Sequence, residues 1–312
     1  MEAKILSTAC LFPSQVSHAH ETGVSVSTVD SGSACYAEWR GQLRLRRASP
    51  LSYFMVDVAS RAIAAVPGLD TSRLGVVSSF YLGCLTYSIR FYKQITEEGR
   101  RFGSPVLFPE TVFNSPLSHV VSVLGVGGPV YSQIGDKSSV ISAIRTACCW
   151  IANGDADHVL VLGAEEYDPM LLHAVRAGRI VRKGEVVGEG AGALLIGRGN
   201  SGKGVRIEKI LDGHVFHNRR DAKRVAADFL SEIPMDIPVL ATATGWMDKV
   251  EKDLLAKHPT VKPKAAHPEA FTARALWDID DGMSLMQHSA LKRIFVPVWG
   301  LSHQIGGLIL SV

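Results

Sequence analysis

The residues with the strongest claim to chemistry lie in "SQIGDKSSVISAI", positions 132 to 144. The stretch reads as a strand, a tight Gly-Asp turn and the first turn of a helix, an arrangement that α/β enzymes use to present a nucleophile. Here the apex is Lys137, followed by Ser138 and Ser139. A lysine amine attacks a carbonyl only when desolvation lowers its pKa, and a serine hydroxyl needs an adjacent base. No base is assured by the sequence, and serine is also an ordinary first-turn residue. Cys148 and Cys149 lie roughly 16 Å further along the same helix at the standard rise, which makes them small core residues rather than nucleophiles.

The elements that must position this apex follow an alternating pattern. Apolar runs of strand length alternate with helical periods, as in an α/β fold with mostly buried strands. "AKILSTACLF" reads as a first strand, residues 50–65 as a helix and "RLGVVSSFYLG" as a buried strand. "YSIRFYKQITEEGRRFG" reads as an amphipathic helix, and "SPLSHVVSVLG" as a shorter one with a Ser-Pro start. In the helix after Lys137, Val140, Ile144, Ala147, Cys148 and Ile151 share one face, and Asn153-Gly154 supplies a stop. "HVLVLGAEE" and "VVGEGAGALLIG" are then expected as one strand each.

After residues 197–204 the pattern begins again. "VRIEKILDG" leads to a helix in "DAKRVAADFLSEI", a strand in "PVLATATG" and a helix in "WMDKVEKDLLAK". A loop rich in Pro and His, a helix in "GMSLMQHSALKRI" and one closing strand in "VPVWGLSHQIGGLILSV" complete the pattern. Two α/β halves are therefore expected, 1–200 and 201–312, the second much shorter, packed as one compact unit.

Composition sets the remaining bounds. The 312 residues are 46% hydrophobic and 20% charged, which is ordinary globular composition, and the formal net charge of +3 is too mild for a dedicated nucleic-acid binder. No zinc or groove-reading motif is present, and neither a metal nor a cofactor is expected. Five scattered cysteines without a Cys-x-x-Cys pair fit a reducing cytoplasm. The N-terminus lacks a basic start followed by a long apolar run, and no stretch approaches the length of a membrane span, so the chain is expected to be soluble and unexported.

From Gly127 to Leu195 the sequence resembles the β-ketoacyl synthase family of the thiolase fold. The resemblance rests on the Gly-Pro before the strand, Ala143-Ile144, "GDAD", "GAEE" and "GEGAG" in order. "FPETVFNSPLSHVVSVLGVGGP" looks most like chain-length-factor-type synthases. The resemblance implies a layered αβαβα fold of two related halves, membership of an acyltransferase-type family, and a dimer paired edge to edge through "PVYSQI".

It also implies a catalytic cysteine at the helix N-terminus, where the dipole favours a thiolate. Counted back from Ala143-Ile144, Lys137 stands there, and an ammonium cannot carry a thioester. The first of the family's two histidines falls on Leu240, within "LATATGWMDKVE", which keeps Asp248 and Glu251. The second follows a lysine by five positions, a spacing kept by Lys262 and His267. The family's glycine-rich gate survives as Gly300, with Ser302 and His303 in place of glycines, so that side chains there, with Ser138, are expected to narrow or stiffen the pocket entrance.

Basic clusters containing Arg46 and Arg47, and Arg179, Arg182 and Lys183, are either a solvated surface or a dock for an acyl carrier protein. Together these residues point to a non-condensing subunit of the chain-length-factor type, pairing with an active ketosynthase in polyketide or fatty-acid-like synthesis. Two alternatives stay open. One is a stand-alone decarboxylase, hydrolase or acyltransferase using His267, His303 or Ser138, and the other is a homodimeric scaffold without an acyl ligand.

Overall fold

A computed structural model describes residues 3–19, 23–182, 184–199 and 204–312. Lys183 lies outside the described residues. The chain begins with β1 (Ala3–Leu11), β2 (Gln15–Ala19), β3 (Val24–Thr28), α1 (Ala34–Trp39) and α2 (Pro50–Ala64). There follow β4 (Leu74–Phe80), α3 (Leu85–Glu98), α4 (Ser115–Leu124), β5 (Val130–Ile134), α5 (Ser139–Asn153) and β6 (His158–Glu165). Then come α6 (Pro169–Ala177), β7 (Val186–Gly188), β8 (Gly190–Arg198), β9 (Val205–Val215), α7 (Arg219–Ser231) and β10 (Val239–Leu240). The last elements are α8 (Met247–Leu255), β11 (Thr260–Val261), α9 (Phe271–His288), β12 (Arg293–Trp299) and β13 (Gln304–Ser311).

Ten strands form one sheet in the order β11-β10-β12-β13-β9-β1-β8-β6-β4-β5. It divides into two sets of identical plan. Numbered along the chain, β1, β4, β5, β6 and β8 lie in spatial order 3-2-4-5-1, and so do β9 to β13. The pairing directions also agree: the second strand of each set is parallel to the third and fourth, and the fourth, fifth and first are antiparallel in turn. The sets join where Ala3–Ile5 meets 205–207 antiparallel.

Side-chain alternation along the strands builds the layers. On β6, Val159 and Val161 face a central core that contains α5 and α9, whereas Leu160 and Leu162 face an outer core with α2. On β12, Ile294 and Val296 join the central core, and Phe295 packs with α7 and α8 in a third. The result is a five-layer αβαβα stack with α5 and α9 enclosed at its centre. Each is the crossover from the third to the fourth strand of its set, and each meets strands of both sets.

Several expectations are corrected. "VVGEGAGALLIG" is two strands: β7 joins a three-stranded sheet with β2 and β3, and β8 joins the large one. The chain turns at Gly190, whose φ of +147° and close approach to the Trp277 ring, which would lie 2.7 Å from any Cβ there, admit only glycine. "PVLATATG" pairs as a strand only at Val239 and Leu240, because the N–H groups of Thr242 and Ala243 donate to the Glu251 carboxylate instead.

The last helix begins at Phe271 rather than Gly282, and it ends at His288, so residues 289–294 lie outside it. Gly282 is internal and lets α9 approach β12, where a Cβ would lie 2.7 Å from Val296 Cγ2. The closing segment is a hairpin, β12 and β13 joined through 300–303, not one strand. No pattern in the sequence points to β2, β3, α1 or α6. Cys148 is buried as expected, but Cys149 is exposed.

Candidate functional site

The strand–turn–helix expected at Lys137 is present, but the apex is closed. Lys137 is 1% exposed, and its Nζ lies 3.1 Å from Oε2 of the equally buried Glu269. Glu269 is fixed by its surroundings. Its backbone exchanges hydrogen bonds with β7, Glu269 N to Val186 O at 2.8 Å and Gly188 N to Glu269 O at 2.9 Å. Its Oε1 accepts from Phe271 N at 2.8 Å, and its Oε2 accepts from Thr244 Oγ1. Phe271 has φ +45°, unusual for an aromatic residue, and its ring stacks on Tyr81 at 4.5 Å. An ammonium held in this way has no free lone pair, so it is a cation rather than a nucleophile.

Ser138 is buried, and among the described residues its Oγ has no hydrogen-bond partner, so none of them is placed to activate it. Leu240 is fully buried in the central core. His267 turns to Asp281, with Nε2 3.0 Å from Oδ2, and stacks on Phe12 at 4.8 Å. Lys262 is exposed and borders a groove of about 500 Å³ with Ala241, Ala243, Leu255 and Ala266. The structure therefore brings Lys137 together with Glu269 and Thr244, and directs His267 elsewhere.

The loop carrying Gly300, Ser302 and His303 wraps around Asp136. The Asp136 carboxylate, fully buried, accepts from the N–H groups of Lys137 (2.8 Å), Leu301 (3.0 Å), Ser302 (2.9 Å), His303 (2.8 Å) and Gln304 (3.1 Å). Gly300 is required because any Cβ there would collide with Gln304 O and the Asp136 carboxylate. Ser302 Oγ bonds Tyr81 OH at 2.8 Å, and the His303 side chain is 53% exposed. Asp136 stood in the quoted turn without an assigned role. Glu269 carried no sequence signal.

The acidic motifs act as internal caps. Glu165 accepts from Tyr81 N, Leu82 N and Thr272 Oγ1, and Glu166 accepts from Thr86 N, so both hold the chain between β4 and α3. Glu251 accepts from Trp299 Nε1 at 2.5 Å as well as from Thr242 and Ala243. Burial pushes Glu165, Glu166 and Glu251 each up to about 7 against the pull of these donors.

Of the basic residues, Arg46 and Arg47 are exposed and border a surface cavity of about 660 Å³ with Arg90, Lys93, Glu97 and Glu98. Arg182 is paired with Asp248 at 2.6 Å, and the Arg179 carbonyl accepts from Arg219. Among the described residues no helix is long and apolar enough to cross a membrane.

Comparison with known proteins gives a consistent picture. Three solved structures superpose on the whole chain or nearly all of it. The ishigamide ketosynthase/chain length factor matches with a TM-score of 0.81 and 16% identity over 100% of this chain and 99% of that one. A type II polyketide synthase complex of acyl-carrier protein with its ketosynthase, AntDE:AntF, gives 0.81 and 13% over 100% and 99%. A β-ketoacyl synthase from Burkholderia phymatum STM815 gives 0.79 and 15% over 99% of both. The fold is thus the thiolase-like layered αβαβα fold. No curated protein sequence matches the chain significantly. The family described as "Beta-ketoacyl synthase, N-terminal domain" matches residues 13–201, more than half of the chain. The chain belongs to the β-ketoacyl synthase family.

Proposed function

We propose that the chain is a non-condensing, chain-length-factor-type subunit that pairs with an active ketosynthase in polyketide or fatty-acid-like synthesis. The observation that carries this reading is the Lys137–Glu269 ion pair, buried at the helix start where a condensing enzyme needs a thiolate. The absence of imidazole at Leu240 and the diversion of His267 to Asp281 support it, since neither position offers a donor to a developing oxyanion beside Lys137. The likeness to a structure titled as a ketosynthase/chain length factor agrees with it.

The proposed partner surface is β5, the edge strand of the large sheet, where Val130, Tyr131 and Ile134 are exposed. An acidic carrier protein would dock at the basic surface of Arg46 and Arg47, with Arg179 and Arg182 a weaker candidate because Arg182 is already paired. Residues 1–200 and 201–312 are proposed as the two related halves of one unit, a reading supported by their shared strand order.

Incubation of the purified chain with malonyl- and acyl-loaded carrier protein, followed by intact-protein mass spectrometry, tests the central claim. The expected result is no covalent adduct and no turnover. A stable adduct, or product formed by the chain alone, overturns it. Co-expression with a cysteine-bearing ketosynthase tests the partner, and co-purification in equal amounts is expected.

A further inference from the structure

The five N–H groups around Asp136 are more than a turn needs. Leu301, Ser302, His303 and Gln304 are consecutive, and all four point their amides into one concavity, the arrangement that binds anions in backbone nests. The fifth donor, Lys137 N, belongs to the start of α5, where the helix dipole also favours negative charge. Two of the bonds end on Oδ1 and three on Oδ2. A carboxylate offers about four lone-pair directions, so its acceptor capacity is filled.

Resting on the reading of a non-condensing site, we propose that Asp136 is the chain's own permanent occupant of an anion hole formed by residues 301–304, locking the β12–β13 turn and leaving no amide there for a substrate oxygen. The site is therefore closed twice. Lys137 neutralises Glu269 where a nucleophile would stand, and Asp136 fills the donors that would stabilise an oxyanion. Two features of the local sequence follow. Residue 300 must be glycine for the chain to pass the carboxylate, serine is accommodated at 302 because its hydroxyl turns to Tyr81, and the half-exposed His303 ring lies beside the carboxylate, with Nδ1 3.9 Å from Asp136 Oδ2.

Three other contacts could hold the turn without Asp136: Ser302 Oγ with Tyr81 OH at 2.8 Å, Phe216 N with His303 O at 2.8 Å, and Trp246 Nε1 with Leu301 O at 3.2 Å. Hydrogen exchange read by mass spectrometry separates the two accounts. Asp136→Asn keeps the shape but sets an NH2 group against N–H donors, and Asp136→Ala leaves a carboxylate-sized void. In each variant the amides of 301–304 are expected to exchange about tenfold faster or more, while the interior of α5 keeps its protection.

Sodium formate added to Asp136→Ala is expected to restore slow exchange saturably, because it refills the hole. Unchanged exchange in the variants would show that Tyr81, Phe216 and Trp246 hold the turn, and would overturn the proposal. Failure of formate to protect the amides of a folded Asp136→Ala protein would do the same. If Asp136→Ala does not fold, the Asn variant alone decides. Chain elongation by the wild-type protein would defeat the non-condensing reading without altering these exchange rates, so the two failures are distinguishable.

Discussion

Lys137 and Glu269 stand at the N-terminal ends of the two equivalent crossover helices, α5 and α9, and their side chains meet at 3.1 Å in the central layer. A cation at a helix start opposes the dipole, and a buried one also loses its hydration. Glu269 offsets both costs, because its carboxylate sits at the favourable end of α9 and is itself held by Phe271 N and Thr244. The lysine is thus tolerated through its partner. The relationship makes the start of α5 an internal strut between the two strand sets.

Breaking the strut from one side should be costly. Lys137→Ala leaves an uncompensated buried carboxylate, and a loss of about 3–5 kcal/mol is expected in urea-induced unfolding. Lys137→Met combined with Glu269→Gln removes both charges and should recover most of that loss. The double-mutant cycle should therefore be strongly non-additive. Simple additivity would mean that the two groups do not interact.

A cysteine placed at position 137 should be unreactive. In Lys137→Cys the thiol would face the Glu269 carboxylate with the Asp136 carboxylate one residue before it, and like charge disfavours the thiolate. Little alkylation of this cysteine by iodoacetamide is expected at pH 7 in the folded protein, with full alkylation after denaturation. Peptide mapping by mass spectrometry reads the difference. Rapid native labelling would show that the site is open and activating.

The thiol inventory gives a second labelling test. Burial pushes Cys35 and Cys148 up to about 12 and raises Cys84 and Cys10 as well, whereas Cys149 is exposed. A colorimetric thiol reagent should titrate one group quickly in the native protein and five after denaturation. Cys149→Ser should remove the fast phase.

How much of this was legible in the sequence depends on range. The run from β5 through α5 could be read locally, because the Gly-Asp turn, the apolar face of α5 and the stop at Gly154 all lie within one short stretch. The partner of Lys137 could not, since Glu269 is 132 residues away and lies just beyond the "KPKAAH" signal. The pattern led to His267, two positions short of the side chain that matters. Asp136 reads locally as a turn residue because four of its five donors come from the far end of the chain. Gly282 looked like a helix boundary because close approach to Val296, not backbone freedom, is what requires it.

The raised carboxyls predict a pH dependence of stability. A carboxyl whose folded pKa of about 7 exceeds its unfolded value near 4.5 holds a proton that the unfolded chain has lost. Its contribution is complete below about pH 4.5 and is lost as pH rises through about 7. Glu251→Gln keeps an acceptor for Thr242, Ala243 and Trp299 but cannot ionise. Its Tm should fall less than that of the wild type between pH 5 and pH 8, by an amount equivalent to about 1–3 kcal/mol. Parallel Tm profiles would show that Glu251 titrates normally.

The edge strand supplies the last prediction. Among the described residues β5 ends the ten-stranded sheet with one side unpaired, and Val130, Tyr131 and Ile134 are 45%, 50% and 53% exposed. Exposed backbone donors beside apolar side chains form a template for another strand, and charge is the common means of blocking such an edge. Tyr131→Lys with Ile134→Lys should abolish association, whether with a second copy or with a co-expressed ketosynthase. Thermal stability of the single chain should change by less than about 1 kcal/mol, as for other exposed positions. Sedimentation velocity reads the association directly. If the doubly charged variant still sediments as a dimer, the dimer is built on a different surface.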